Sequence, residues 1–575
     1  MRRRSSTLEL WVALLAASLC GCDAGRAEST GRATGAAETA APAAAPQSTL
    51  PAVFYADVNS GPGSGGEDDA GAYVTLHGTG FGEVQGTVTI GGGKVHAYRV
   101  WSPTLISVQI GRAARSGAIV VRTAEGREAQ AAQPFTVRAG HIWFVAPTGD
   151  DRSCRAGDVR RPCRTPNSLV REGRVAPGDF IVVRGGTYGD DDPQNGLYSN
   201  TWIRPTVSGS AGAPIAVIAY PGEAAVFEQR QGARLFSHYD SIAHWVISGF
   251  RVRIRHCRPA GVMGVGDPAT TEGCRNPGAV RRATDVSFVG IDIDGGGVGG
   301  MCGGSGGDLV EIGAAERIRV LGLTIHDTSP QNPDEPTHAI YLAATQKDVE
   351  VGWNRIWNIP HSRALIQVHQ DSFNGACWAR PTMDRITIHD NELRRVAGQA
   401  ILVDGGAGQV EIYNNVISDT PLADDHRYPD VISLRGSGGQ LEATLAHNTV
   451  VADPGAGERG YLLGIGAPGC TGTPKSVQLF NNVFQVTGGG RDAYIGYNET
   501  CAEDTPISGA RNLWFGAGRP PAADVSPLST NPRLERLRPQ AGSPLIGAGR
   551  PTPYVLDHDG HRRTTFDVGA YSGPP

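Results

Sequence analysis

The chain has 575 residues, too many for one ordinary compact domain, so several units or a repeat array are expected. With 52 Lys and Arg against 57 Asp and Glu, its net charge of -5 argues against nucleic-acid binding driven by bulk basicity. Its 79 Gly point to turns and close backbone packing rather than long helices, and only Lys94, Lys347 and Lys475 offer an amine to any chemistry.

At the N-terminus, Arg2, Arg3 and Arg4 precede an apolar run from Leu10 to Leu19 and the sequence Leu19-Cys20-Gly21-Cys22. This is a charged region, a short hydrophobic region and a processing site, too short to span a bilayer. The L-C-G-C ending resembles a bacterial lipobox. That resemblance implies a signal peptide over 1–22, diacylation of Cys22, and an exported protein held in the cell envelope, on the periplasmic or surface side, by its lipid alone. Residues 23–50 are small and polar with almost no large apolar side chain, so a flexible tether is expected there.

From 51 to 138, short alternating stretches (AYVTLHG, GTVTI, ISVQI, AIVVRT, PFTVR) lie between Gly, Ser and Pro clusters, which predicts a small antiparallel sandwich. The run VTLHGTGFGEVQGTVTIGGG with the strands that follow resembles the IPT/TIG immunoglobulin-like domain. The resemblance implies a spacer or binding module, and the segment contains no cluster of catalytic residue types.

Beyond it an eight-residue pattern recurs eight times: WVISGFRV, VSFVGIDI, IRVLGLTI, VEVGWNRI, ITIHDNEL, VEIYNNVI, ATLAHNTV and VQLFNNVF. Each copy reads as a strand, a bend and a second strand. Its sixth position is Phe250, Ile291 and Leu323, then Asn354, Asn391, Asn415, Asn448 and Asn482. A further alternating strand precedes most copies: LVEIG, AIYLA, LIQVH, AILVD, VISLR and LLGIG. Two to three short strands per repeat of about 30 residues, without helical periods, predict an all-β right-handed parallel β-helix over 141–530. Leucine-rich repeats and propellers fit the strand, Asn bend and strand signature less well. The five Asn are expected to stack as an amide ladder.

Both flanks support this fold by resemblance. The stretch 141–223 (HIWFVAPTGDD, RRPCRTPNSLV, APGDFIVVRGGTY, SGSAGAPIAVIAYPGE) resembles the N-terminal segment of secreted β-helix proteins of the pectate-lyase-like superfamily. The tail 531–575, with PRLERLRPQAGSPLIGAG and LDHDGHRRTTFDVGAY, is similar to their C-terminal closing element. The resemblance implies a polysaccharide partner and Ca²⁺ as a candidate cofactor, but this fold carries lyases, hydrolases, epimerases and adhesins alike.

Eight cysteines remain in the exported chain, an even set without metal-site CxxC spacing, so disulfides are expected. Aligning LLGIGAPGC with AYIGYNETC places Cys470 and Cys501 on adjacent coils, within disulfide reach. The other expected pairs are Cys154 with Cys163, Cys257 with Cys274 and, by elimination, Cys302 with Cys377.

Chemistry is expected on the outward side of the strand that precedes each octapeptide. With Val310/Ile312, Ile340/Leu342, Ile366/Val368, Ile401/Val403 and Ile432/Leu434 turned inward, the outward residues are Glu311, Tyr341, Gln367, Leu402 and Ser433. The next outward positions place His369, Asp404 and Arg435 on three successive coils, roughly 4.8 Å apart. That set suits β-elimination at a uronate: His369 or Tyr341 as base, Asp404 orienting His369, Arg435 neutralising the carboxylate. Glu311, Gln367, His338 and Asp371 are expected to contact substrate. A surface salt-bridge ladder without chemistry is the competing reading, and a one-residue slip of register would turn the set inside out. His326, Asp327, Asp424, Asp425, His426 and Asp430 lie in predicted loops nearby, as a cleft rim, carboxylate ligands for Ca²⁺ or plain solvated loop residues.

Calcium-dependent β-helix lyases use a Lys or Arg base beside an acidic calcium site. Lys347, in the predicted turn TQKDVEV, has no such acidic triplet and ranks below His369. Polygalacturonase-type hydrolases carry NTD, DD, GHG and RIK signatures, of which only Asp424-Asp425 is present, so that activity is disfavoured. The expectation is thus an envelope lipoprotein, acting as a monomer, whose β-helix engages an extended acidic polysaccharide; whether it cleaves it is open, with β-elimination the reaction expected if it is an enzyme. A non-catalytic glycan-binding or adhesin-type protein is the alternative.

Overall fold

The computed structural model describes residues 50–192, 197, 200–238, 240–255, 261–266, 280–296, 308–327, 337–359, 362–369, 382–396, 398–420, 430–454, 460–467, 472–488, 494–498 and 500–574. The predicted signal, tether and Cys22 lie outside these residues, as do Asp371, Asp424, Asp425, His426, Cys257, Cys274, Cys302, Cys377 and Cys470.

Three long parallel sheets form the body, a right-handed parallel β-helix as predicted. Face 1 has 13 strands, from Ile142–Val145 to Asp524–Val525. Face 2 has 11, from Gly186–Gly189 to Leu513–Phe515, and face 3 has 10, from Thr201–Ile203 to Ile495–Tyr497. The chain visits the faces in turn, and inward residues of the stacked strands form one continuous apolar core. No coil could bury that side alone, so stacking is the source of stability.

The bend between faces 1 and 2 explains the octapeptide. Its fifth residue is left-handed in every copy: Gly249, Gly290 and Gly322, then Trp353, Asp390, Asn414, His447 and Asn481, with φ between 52° and 80°. The buried residue after it opens face 2. From Asn354 onward this is the amide ladder: Asn415 Nδ2 donates to Asn448 Oδ1 (3.0 Å) and to the Ile388 carbonyl (2.9 Å), while its Oδ1 accepts from Asn391 N (3.1 Å) and Nδ2 (2.9 Å). The ladder runs one rung beyond the five expected, to Asn512, and ends on Asp524, which also accepts from Trp514 Nε1. Asn512 was legible in ARNLWF, where the same bend recurs.

A helix over Pro166–Arg171, absent from the sequence reading, buries Leu169 and Val170 at the N-terminal end of the core. Thr165 caps it, its hydroxyl accepting from Ser168 N (3.2 Å), and Pro166 suits the first turn. Cys154 and Cys163 are disulfide-bonded beside it as expected, and Cys501 is also disulfide-bonded. No helix among the described residues is long and apolar enough to cross a membrane.

Residues 52–130 form two four-stranded antiparallel sheets. Their core, with Tyr73, Leu76, Phe81, Ile106 and Phe135, continues into outward side chains of face 1, including Phe180, Val182, Ala216 and Ile218. The C-terminal segment adds no coil but runs along the bend between faces 1 and 2. There Asn481 Nδ2 donates to the Arg550 carbonyl (2.8 Å) and Asn414 Nδ2 to that of Leu556 (2.9 Å). The first strand of the sandwich and this segment meet the helix at an aromatic seam: Phe54 and Tyr55 pack on Trp353, and Tyr554 stacks on Tyr413.

Inside the seam, His389 Nδ1 bonds Asp390 (2.7 Å) and Nε2 bonds Glu350 (3.3 Å), which also accepts from Arg319 (2.9 Å). Burial alone would lower the affinity of this imidazole for a proton, but the two carboxylates prevail and push its pKa up to about 9. A histidine pKa raised on folding stabilises fully below the ordinary histidine range of about 6.5 and loses that contribution as pH climbs through the raised value. The melting temperature is therefore expected to fall between pH about 6.5 and about 9. His389→Asn, melted across the same range, should flatten that slope; an unchanged slope would remove His389 as its source.

Candidate active site on the third face

Face 3 has the predicted register. Val310, Ile340, Ile366, Ile401 and Ile432 are consecutive partners, as are Glu311, Tyr341, Gln367, Leu402 and Ser433. One step beyond, the ladder continues through His369 N to Leu342 O (2.9 Å), Asp404 N to Val368 O (2.8 Å) and Arg435 N to Val403 O (2.9 Å). His369, Asp404 and Arg435 thus stand side by side on successive coils.

Their side chains meet. Tyr341 Oη lies 3.3 Å from His369 Nδ1, across one coil boundary. His369 Nε2 faces Asp404 Oδ2 at 3.9 Å, and Arg435 Nη1 approaches the same oxygen at 3.7 Å. The second oxygen of Asp404 accepts from Gly405 N (2.8 Å) and from the Ser437 hydroxyl, which fixes the carboxylate between the imidazole and the guanidinium. The competing picture of an exposed, separately solvated ladder does not describe this arrangement. Side-chain exposure is 6% for His369, 7% for Asp404 and 12% for Arg435, so the charges act in a poorly screened setting.

A second row borders the first. Two positions ahead of the inward row, Asp308, His338, Ala364, Gln399, Asp430 and Tyr461 occupy matching places, His338, Ala364 and Gln399 within their strands and the others just before theirs. His338 is paired with Ala364 and Ala364 with Gln399 across the coils. Asp308 Oδ1 bonds His338 Nδ1 (2.7 Å), and the His338 ring stacks on Tyr341 with centroids 4.7 Å apart. Asp430 accepts from Asn498 Nδ2 (3.3 Å) and fills the room over Gly464, where a side chain would collide with it. Burial pushes the Asp430 carboxyl up to about 6, only partly opposed by the Asn498 and Tyr461 hydrogen bonds and the Arg435 charge.

Five buried polar atoms here have no hydrogen-bond partner among the described residues: His338 Nε2, Gln367 Oε1, Gln399 Oε1, Asp430 Oδ1 and Ser433 Oγ. Leaving such a group unpaired costs about 1–3 kcal/mol. The arrangement fits a polar ligand.

Other expected residues fall elsewhere. Glu311 stands at the N-terminal end of the row, 3.8 Å from Arg234. His326 belongs to the face-2 strand Thr324–His326, where it stacks on Trp357 and bonds Asp327, so neither residue rims this site. Lys347 is not in a turn but in the face-1 strand Gln346–Gly352, flanked by Glu316 and Asp384 on neighbouring coils. Alternating residues QKDVEVG continue the strand pattern there, a signal obscured by Asp348, whose φ of 57° bends the strand. Among the described residues no group of three His, Cys, Asp or Glu is placed to hold a metal ion. The sequence reading missed Asp308, Gln399, Ser437 and Asn498. Asp308 and His338 carried a signal, since each immediately precedes its alternating strand, as D-LVEI and H-AIYL.

No family model and no curated protein matches the chain. Among solved structures it is similar to pectate lyase Pel9A (14% identity, 76% of this chain and 97% of that one, TM-score 0.44). It is similar also to a rhamnogalacturonan lyase (13%, 64% and 87%, TM-score 0.41) and to XylC in complex with xylose (12%, 75% and 98%, TM-score 0.38). At these identities and scores the likeness carries no assignment of substrate or reaction.

Proposed function

We propose that face 3 binds an extended, uronate-containing polysaccharide and cleaves it by β-elimination. The observation that carries this reading is the unbroken chain of contacts Tyr341–His369–Asp404–Arg435 over four successive coils, withdrawn from solvent. Elimination beside a carboxylate needs a cation to take up the charge that grows on that carboxylate, and Arg435 supplies a forked donor for it. It also needs groups that move protons within hydrogen-bond reach of each other, and Tyr341 and His369 are such a pair. Asp404 locates both, holding the imidazole on one side and the guanidinium on the other. Gln367 and Ser433, between these rows, offer polar atoms to sugar hydroxyls. The coils repeat every 4.8 Å or so, which gives a linear array of contacts suited to a polymer.

In the same reading the protein is exported, anchored through the lipid on Cys22, and carries the β-helix beyond a tether and an IPT/TIG-like spacer. The test is ultraviolet absorbance of the unsaturated sugar formed by elimination, with the chain offered a panel of uronic-acid polysaccharides with and without Ca²⁺. Product from at least one polymer is expected, and the two arms show whether Ca²⁺ is needed. Retention on a polysaccharide column without product would replace cleavage by binding alone, and failure of both would end the polysaccharide reading.

A further inference from the structure

Elimination moves two protons, one off carbon and one onto the leaving oxygen, and each needs a group to carry it. The geometry points to Asp308 and His338 for the first: His338 the general base at the uronate carbon and Asp308 its positioning residue, an inference that rests on the elimination reading. A carboxylate only accepts hydrogen bonds, so the 2.7 Å contact with Asp308 Oδ1 places the hydrogen on His338 Nδ1. Asp308 Oδ1 also accepts from the backbone N of His338 (3.1 Å), which fixes the carboxylate against the ring it orients. Nε2 is then left with its lone pair, and among the described residues that atom is buried without a hydrogen-bond partner. The residue is 8% exposed and Asp308 7%, so neither is a solvated surface group. Stacking at 4.7 Å, with 17° between the rings, holds the imidazole against Tyr341, whose hydroxyl reaches His369. The imidazole and the phenol therefore stand side by side.

The step balances. His338 Nε2 takes the proton from the carbon beside the carboxylate, and the electron pair left behind forms the carbon–carbon double bond. The bond to the glycosidic oxygen breaks, and that oxygen takes the proton of Tyr341 Oη, leaving a phenolate held by the hydrogen bond with His369. Exchange with water restores both groups after the product leaves, and nothing is oxidised or reduced.

The experiment uses the full chain on whichever uronate polymer it cleaves, with kcat and KM read for His338→Gln, Asp308→Asn and Asp308→Ala, and histidine ¹⁵N spectra recorded alongside. His338→Gln should lower kcat about 10²–10⁴-fold with KM little changed. Asp308→Asn keeps an acceptor but loses the charge, so its loss should lie between those of wild type and Asp308→Ala. The His338 signal, assigned by its absence in His338→Gln, should show the Nδ1–H form in wild type and a mixture in Asp308→Ala, a change that a merely structural role would not produce. Wild-type kcat in His338→Gln, while Arg435→Ala is inactive, would overturn the base and leave the elimination reading standing. An Nε2–H form in wild type would overturn the dyad even if His338→Gln fails to fold. Absence of product from wild type on every uronate polymer would sink both readings together.

Discussion

Arg435→Ala is expected to lower kcat on a uronate polymer about 10²–10³-fold, the usual loss when a donor aimed at developing charge is removed. The carboxylate gains charge as the neighbouring carbon loses its proton, so the guanidinium binds the transition state more strongly than the ground state, and kcat should fall more than KM rises. Arg435→Lys should recover only part of the rate, because an ammonium cannot reproduce the planar fork. Removing Arg435 also leaves Asp404, 7% exposed, without its guanidinium neighbour, and breaking a buried ion pair destabilises a fold. The double variant Arg435→Gln/Asp404→Asn removes that penalty, and it should melt near wild type yet remain inactive. Wild-type kcat in a folded Arg435→Ala protein would refute the role.

Asn415→Ala is expected to destabilise the β-helix by about 3–5 kcal/mol, since it strands several buried groups at once. Asn391 N and Nδ2 lose the acceptor they share, and the Ile388 carbonyl loses a donor. A methyl group at 415 replaces none of these bonds, and the surrounding coils are held in register by neighbours that cannot move to compensate. The denaturant midpoint should shift accordingly, whereas Glu411→Ala, on the exposed side of the preceding strand, should change it by about 0.5 kcal/mol or less. Equal effects of the two substitutions would show that the ladder has no special share in stability.

The polysaccharide-facing proposal owes its residues to a feature of solenoids that makes them unusually legible. Whether Tyr341 or Ile340 faces inward is decided by the alternation of a five-residue stretch, and parallel in-register stacking carries that parity from coil to coil. His369, Asp404 and Arg435 could therefore be placed side by side although 66 residues of chain separate the first from the last. The same logic located the Asn ladder, because the left-handed bend and the following Asn are a local pattern that stacking merely repeats.

Other properties were not local. The sequence could not distinguish an exposed charge ladder from a buried one, because exposure depends on what covers a face. The Asp308–His338 contact joins residues 30 apart through a connection whose length no pattern encodes, and only their shared position before a strand hinted at it. The seam around His389 is more remote still: it gathers Tyr55 from the first strand, Trp353 and Tyr413 from the helix, and Tyr554 from the C-terminal segment. The amino-acid sequence by itself determined the period, the inward and outward sides of each strand, and the residues that share a row. The tertiary structure alone decided which rows are withdrawn from water and which distant segments meet, because alternation is a property of neighbours along the chain, whereas burial is a property of everything that packs against it.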